Sequence, residues 1–600
     1  MLRRIRPAEG PFAAWLSPYP VRIIEDPPPR RLRALALLHT PAILKSRRSN
    51  LDKISRNKSR VERFTYIVAP DEDRELYSSQ TMPRERARAT IERQRAYIQA
   101  RGELIAINGY LGLGPEACPV QWLYSLEAAN IAAMQQILAF PRAAVESARR
   151  RRRPFVPRMR VVYTPGCPAE GLPGRQAILV DLEHWTTYIL GPDYFGESKK
   201  AALRMLNEHV YRDGGLVLHA GAKAVRLGRR SLAMTVMGLS GTGKTTTTFS
   251  RQGDFTAPIQ DDMVCLWPGG RMSVTENGCF AKTFGLTHET EPVIHRGTLD
   301  RRAWVENAYL DEHGEYDFSK ARLTPAEVAR LRDVLVRTGA DPANVDAYAR
   351  GTVAFEGVVD ASGVPRDGWD FVVWTQNGRS VVPRSAIRNF ADLRRIPPVR
   401  SMGILNRDEG PDAATPGIVR FVSPEQAAGY FMLGETTKTS AAGKERGRTR
   451  SPFTQPFFPG AAGLQAARFS EILRTMPGVT LWLMNTGYVG GDAADAAAGR
   501  ALKVKIHHSS AMLEALLAER VVWRRDPDFG YEIVDVEAAG NAALLDQVPA
   551  EILQPRRLYE RAGRLGEYAA WVEAMRRERR AFLERHRVER AIVEAVGGRA

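Results

Sequence analysis

The sequence predicts a soluble chain of mixed strands and helices, with a nucleotide-binding strand, loop and helix near its middle. Three observations carry this. Gly238-Leu239-Ser240-Gly241-Thr242-Gly243-Lys244-Thr245 fits the phosphate-loop pattern G-x-x-x-x-G-K-[ST]. The apolar run from Leu232 to Met237 reads as a buried strand entering that loop, and Thr245 to Phe249 open a helix behind it. A composition of 44% hydrophobic and 26% charged residues over 600 positions leaves room for two or three domains.

The loop's residue types each serve a separable task. Glycines let successive backbone N–H groups turn onto phosphate oxygens, where side chains would block the approach. Lys244 reaches the β- and γ-phosphates, the Thr245 hydroxyl ligates Mg²⁺, and Thr246 continues the cradle. A helix N-terminus behind the loop adds a further preference for an anion.

Composition bounds the alternatives. No run of about 18 apolar residues occurs, so no membrane span is expected. The basic start, Met1 to Arg6, meets Pro, Glu and Gly before any apolar stretch, which argues against a secretory signal. Cys118, Cys167, Cys265 and Cys279 are scattered without a CxxC pair, which predicts a reduced, cytoplasmic compartment and no structural zinc. The formal charge of +18 raises nucleic-acid binding as a function class. Much of the excess lies in local runs, Arg149 to Arg153 before Pro154 and the Glu-diluted Arg576 to Arg580, without interleaved aromatics. A small anionic substrate is the favoured partner, for which a positive field also serves. The oligomeric state is left open.

In chain order, residues 1–35 are Pro- and Arg-rich and read as an extended lead-in. Leu35 to Leu38 suggest a first buried strand, Arg84 to Arg101 a helix, and Leu104 to Gly112 a strand and turn. Val120 to Tyr124 precede an Ala-rich helix ending near Leu138, and further strands are expected at 160–163, 177–182 and 187–190. Asp193-Tyr194-Phe195-Gly196-Glu197-Ser198-Lys199-Lys200 leads into a helix from Ala201 to Val210, and a strand from Gly215 ends at His219. A Lys-Lys pair at a helix start is ordinarily solvated, and a lone His after an apolar strand is ordinarily structural. Phe255 to Gln260 lead into Asp261-Asp262, acids that suit a metal beside a phosphate loop. The C-terminal stretch is charged amphipathic helix, and no internal repeat occurs.

The loop Gly-Leu-Ser-Gly-Thr-Gly-Lys-Thr-Thr resembles that of the ATP-dependent phosphoenolpyruvate carboxykinases. Other segments are similar in turn. Tyr194 to Lys200 match Tyr-x-Gly-Glu-x-Lys-Lys, which assigns Lys200 to Mn²⁺ and Tyr194 to the border of the substrate. His219 stands at the imidazole ligand and Asp262 at the acidic ligand of the same ion. A lysine ligates only when neutral, which burial among positive charges favours. Gly278 to Lys282 resemble the segment whose lysine, here Lys282, meets the phosphates, and Glu291 stands at an acidic position near the nucleotide. Asn377-Gly378-Arg379 resembles Asn-x-Arg, whose arginine bridges γ-phosphate and substrate, and Arg446 falls at a nucleotide-binding arginine. Arg48, within Ser46 to Lys53, resembles the arginine of Arg-Ser-Pro-x-Asp-Lys that holds the substrate carboxylate, without the proline; Arg60 is a rival placement and a basic surface loop the third reading.

The sequence departs from the family at Met263 to Leu266, at Pro452 to Phe458 and at Val382, and an insertion fills about 321–375. The resemblance implies an α/β, two-lobed fold: an N-terminal substrate domain at 36–215 and a C-terminal phosphate-loop domain at 216–600. It implies conversion of oxaloacetate and ATP to phosphoenolpyruvate, ADP and CO₂, the carboxy-lyase step of gluconeogenesis, with ATP, Mg²⁺ and Mn²⁺. Two alternatives stay open: a divergent kinase on the same scaffold acting on another carboxylic acid, and a non-catalytic nucleotide-binding relative.

Overall fold

The apolar run before the glycine-rich loop forms a strand, Arg230–Gly238, in the computed structural model, which describes residues 21–56, 62–239, 242–355, 371–438, 447–455 and 457–597. Backbone contacts divide the chain into two units, one of residues 1–206 with 276–388 and the other of 207–275 with 389–600. The architecture is mixed α/β.

Strand Arg230–Gly238 is third in the eight-stranded sheet of the second unit. Phe255–Gln260 and Ala220–Leu227 precede it, and Val399–Asn406, Thr480–Asn485, Ile418–Arg420, Glu532–Val534 and Trp523–Arg525 follow. It runs parallel to Val399–Asn406, which runs parallel to Thr480–Asn485; the outer pairs are antiparallel. Leu232, Met234 and Val236 bury one face with Leu405, Met484 and residues of helix Ile506–Leu517. Each such side chain contributes roughly 1.5–3 kcal/mol relative to exposure. The indole of Trp482 lies over Gly403, where an added Cβ would stand 2.1 Å from the ring, and its N–H donates to Ser401 Oγ at 2.9 Å.

In the first unit a nine-stranded sheet runs Arg22–Glu25, Glu103–Leu111, Cys118–Tyr124, Met159–Thr164, Thr186–Leu190, Ala177–Asp181, Thr65–Val68, Gln80–Met82, with Phe140–Pro141 beside Glu103–Leu111. Helix Arg84–Arg101 lies where expected and ends on Gly102 at φ 70°, a left-handed position suited to glycine. Buried Gln94 on this helix donates from Nε2 to Val162 O and Ile189 O, tying it to the sheet.

Three expectations change. Leu35 to Leu38 belong to a helix, Pro29–His39, not to a strand. Its buried residues are Leu32 and Ala36, one helical turn apart, and Pro29 occupies the first helical position, where a missing N–H costs nothing. The lead-in is therefore not extended throughout: it turns helical from Pro29, after an extended strand, Arg22–Glu25, that pairs in parallel with Glu103 to Ala106. The expected cut between 36–215 and 216–600 differs from the observed division, in which 276–388 joins the first unit. The reason is a five-stranded sheet ordered Gly278–Lys282, Arg379–Pro383, Trp304–Glu306, Leu51–Lys53, Ile43–Lys45.

The described part of the stretch expected to be an insertion also packs in the first unit. Helices Pro325–Thr338 and Pro342–Ala349 turn about Gly339, and their Val328, Leu331, Leu335, Val345 and Tyr348 share a core with Ala42, Ile54 and Tyr309. Thr324 and Glu327 cap the first helix reciprocally. No helix among the described residues is long and apolar enough to cross a membrane.

Candidate functional site

The glycine-rich segment of the second unit leaves strand Arg230–Gly238 and enters a six-residue helix, Lys244–Phe249. A Cβ on Gly238 would stand 2.3 Å from Thr242 Oγ1, which donates to Leu239 O at 2.9 Å. Gly243 takes φ 93°. Thr486, after strand Thr480–Asn485, donates from Oγ1 to Thr242 O at 2.9 Å. Leu239 is partly exposed, and Thr245 and Thr246 are half-buried in the helix's first turn. Ser240 and Gly241 lie outside the described residues.

Gly221 sets how closely the helix approaches the sheet. A Cβ there would lie 2.0 Å from Thr248 Oγ1, which donates to Lys244 O at 2.9 Å. Gly221→Ala is expected to destabilise the second unit by about 1–3 kcal/mol through overpacking, read by urea unfolding. Truncating Thr248 to Ala in the same chain should restore most of that loss.

Asp262 joins the loop to His219. Its Oδ1 accepts from Lys244 Nζ at 3.0 Å and lies 2.9 Å from His219 Nε2. The other ring nitrogen, Nδ1, faces the backbone carbonyl of Phe453 at 3.0 Å, and the His219 N–H donates to Thr454 Oγ1 at 3.2 Å. The edge of Phe457 packs against the imidazole at 5.5 Å between centroids. Burial first, then the Lys244 charge, lowers the His219 pKa below its ordinary value, against the raising effect of Asp262. A neutral imidazole donating from Nδ1 to Phe453 O presents the Nε2 lone pair to a carboxylate oxygen. Two acceptors then face each other, an arrangement that a cation between them resolves.

That donor set fits a divalent ion. Imidazole nitrogen, carboxylate oxygen and the Thr245 hydroxyl on the adjoining loop suit Mn²⁺ or Mg²⁺. Among the described residues no group of three or more His, Cys, Asp and Glu gathers for a metal, so His219 and Asp262 would need other donors to complete the sphere.

The first unit carries its own cationic cluster. Helix Phe195–Arg212 starts earlier than expected, so Lys199 and Lys200 lie inside it rather than ahead of it. Lys199 Nζ pairs with Glu276 at 2.8 Å, both side chains 2% exposed. Lys200 Nζ lies 3.7 Å from Glu197 and 5.7 Å from the centre of the Tyr194 ring. Glu197 also receives Arg204 at 3.3 Å. Tyr194 is buried, its carbonyl accepts from Tyr163 OH at 2.9 Å, and the next N–H, that of Phe195, donates to buried Glu306. Burial raises the Glu306 carboxyl to about 8.

Lys282 and Arg379 face each other across adjacent antiparallel strands. Burial and then Arg379 lower the Lys282 pKa. Like charges directly opposite are unfavourable unless an anion meets both. Glu291 is half-buried at the start of helix Pro292–Thr298.

Arg48 occupies the turn between strands Ile43–Lys45 and Leu51–Lys53, 56% exposed, with its Nε 3.7 Å from Glu315. The rest of that segment is interior: Asp52 is fully buried, with its carboxyl raised to about 8 by burial, and Lys53 Nζ reaches Asp193 at 3.3 Å. Arg60 and Arg446 lie outside the described residues.

The sequence has counterparts among known proteins. A phosphoenolpyruvate carboxykinase family model matches residues 22–333 and 334–540. The chain belongs to the phosphoenolpyruvate carboxykinase family. Similar proteins include "Phosphoenolpyruvate carboxykinase (ATP)" of Thermus thermophilus, 27% identical over 415 residues, which are 67% of this chain and 64% of that one. Proteins of the same name from Aeropyrum pernix, 28% identical over 68% of each chain, and Cereibacter sphaeroides, 29% identical over 65% and 64%, are also similar. The alignment thus spans under two thirds of the Thermus and Cereibacter relatives.

Several residues that build this family member's clusters had no role assigned from the sequence, although Glu276 and Thr486 lie in segments similar to the family's. Glu276 holds Lys199, Thr486 braces Thr242, and Phe453, Thr454 and Phe457 surround His219. The last three lie in the segment that departs from the family pattern. Phe453 acts on His219 through its backbone carbonyl, a contact that no side-chain pattern reports.

Proposed function

We propose that this chain is an ATP-dependent phosphoenolpyruvate carboxykinase. One observation carries the reading: a single carboxylate oxygen, on Asp262, meets both the loop lysine Lys244 and the imidazole of His219. Phosphate neutralisation and metal ligation would then adjoin. Loop residues 238–246 would cradle ATP, with Thr245 on Mg²⁺. His219 and Asp262 would hold Mn²⁺, whose positive charge stabilises an enolate. Lys200 is assigned to the same ion, and Glu291 and Arg446 to the nucleotide, on the family resemblance. Localisation in the cytoplasm belongs to the same reading.

In the reaction, the C–C bond to the departing carboxylate of oxaloacetate breaks, and its electron pair forms the enolate as CO₂ leaves. The enolate oxygen bonds to the γ-phosphorus while the bond from that phosphorus to the β–γ bridging oxygen breaks, and ADP leaves with the electron pair. Lys244 neutralises charge building on the β- and γ-phosphate oxygens. Lys282 and Arg379, opposed across their strands, would meet phosphate oxygens, Arg379 through its planar fork. Neutral His219, oriented by Phe453 O, keeps its Nε2 lone pair free for ligation. Tyr194 would border the substrate, where its buried ring excludes water.

The exposed turn at Arg48 favours a second reading, a kinase on the same scaffold acting on another carboxylic acid. If Arg48 holds the oxaloacetate carboxylate, Arg48→Lys raises KM for oxaloacetate and lowers kcat with ATP affinity nearly unchanged, because lysine lacks the bidentate fork. Unchanged oxaloacetate kinetics remove Arg48 from the site. The two readings separate in steady-state rates with oxaloacetate against other carboxylic acids, each with ATP and GTP. Oxaloacetate with ATP should give the highest kcat/KM; another acid ahead of it would favour the divergent kinase.

A further inference from the structure

Lys223 is a lysine where the sheet has no evident need of one. It lies within strand Ala220–Leu227, between Phe255–Gln260 and Arg230–Gly238, opposite Pro258 on one side and Met234 on the other. It is fully buried. Close neighbours along the strand are Ala222, Ala224 and Val225, and register against Phe255–Gln260 shifts between Ala222 and Lys223. Such an irregularity re-aims a side chain. Burying an ammonium is costly unless hydrogen bonds replace its water.

Those bonds all go to one place. Lys223 Nζ donates to the backbone carbonyls of Thr247 and Ser250, the latter at 3.0 Å, to Ser250 Oγ at 3.2 Å, and to the side-chain carbonyl of Gln252. All four acceptors are neutral. Thr247 lies in the last turn of helix Lys244–Phe249, and Ser250 is the residue that ends it. A helix of six residues leaves most of its carbonyls without helical partners. Lys223 satisfies two of the carbonyls around that end, and Gln252, also buried, completes the cage.

We propose that Lys223 is a positioning residue for the phosphate loop, clamping the far end of the loop's short helix to the sheet so that Lys244 and Thr245 stay fixed at its near end. This rests on the reading of residues 238–246 as a phosphate loop. The loop and its helix are then held at three points: Thr242 of the loop through Thr486, Thr248 against Gly221, and the final turn through Lys223. Lys223 touches neither nucleotide nor metal in this account. Its effect is on where the groups that do so stand.

The test compares the full-length chain with Lys223→Met and Gln252→Met. MgATP affinity is measured by calorimetry, oxaloacetate KM and kcat by steady-state assay, and amide exchange of residues 244–250 by mass spectrometry. Lys223→Met should weaken MgATP binding at least tenfold and lower kcat, leave oxaloacetate KM within about twofold, and speed exchange of 244–250 at least tenfold. Gln252→Met should shift the same readouts in the same direction by less. MgATP affinity within threefold of wild type in folded Lys223→Met, with exchange unchanged, overturns the proposal. Should Lys223→Met not fold, unchanged exchange and affinity in Gln252→Met overturn it, and accelerated local exchange with weaker MgATP binding supports it. Failure of the wild-type chain to bind MgATP would overturn both the phosphate-loop reading and the positioning role built on it, whereas a failure confined to the variants' predicted losses overturns only the role of Lys223.

Discussion

Lys244→Ala is expected to abolish phosphoryl transfer while leaving the fold intact, with kcat lower by on the order of 10³-fold or more. The side chain is 12% exposed and its ammonium lies against Asp262, outside the apolar core of its unit. Truncating it therefore leaves the packing in place and removes the charge meant for the β- and γ-phosphate oxygens. A second readout follows from the electrostatics. Lys244 is the largest effect after burial in lowering the His219 pKa, so its loss should raise that pKa, seen by NMR titration of the imidazole. Wild-type turnover in Lys244→Ala would contradict the role given to the loop.

Asp262→Asn should cost at least about 100-fold in Mn²⁺ affinity, since it neutralises a proposed first ligand where even outer partners of ligands are worth 10–100-fold. His219→Ala should lose Mn²⁺ to a similar degree. Both variants should still bind MgATP through Thr245, which separates the metal from the nucleotide. The measurement is a titration of free Mn²⁺ by electron paramagnetic resonance, with and without MgATP. Because burial and Lys244 hold His219 below its ordinary pKa, wild-type Mn²⁺ binding should persist to lower pH than an exposed histidine allows. Unchanged Mn²⁺ affinity in both variants would remove the site.

Much of the second unit was legible because its signals are local. The apolar run into the glycine-rich segment is a strand, and the helix behind it begins at Lys244, within one residue of the expected start. Helix Arg84–Arg101 was legible from its composition, and its end coincides with a glycine. Leu35 to Leu38 were not, because four apolar residues satisfy a strand and a helix turn equally, and the helix start lay upstream in a proline run. The start of helix Phe195–Arg212 was hidden for another reason. Gly196 reads as a helix breaker, yet a Cβ there would stand 2.4 Å from the Tyr194 ring, so glycine is what lets that ring fold back over the helix. The return of 276–388 to the first unit is a pairing between distant strands, which no local pattern announces. Around His219, the motif residues were visible, but their support comes from a segment whose pattern had changed.

The most direct test follows the phosphoryl group itself. Wild-type chain with oxaloacetate, ATP, Mg²⁺ and Mn²⁺ is observed by phosphorus NMR as the reaction proceeds. A phosphoenolpyruvate resonance should grow in step with ADP, dependent on both oxaloacetate and Mn²⁺, and be absent in Lys244→Ala. A chain that binds ATP and Mn²⁺ yet forms no phosphoenolpyruvate would contradict it.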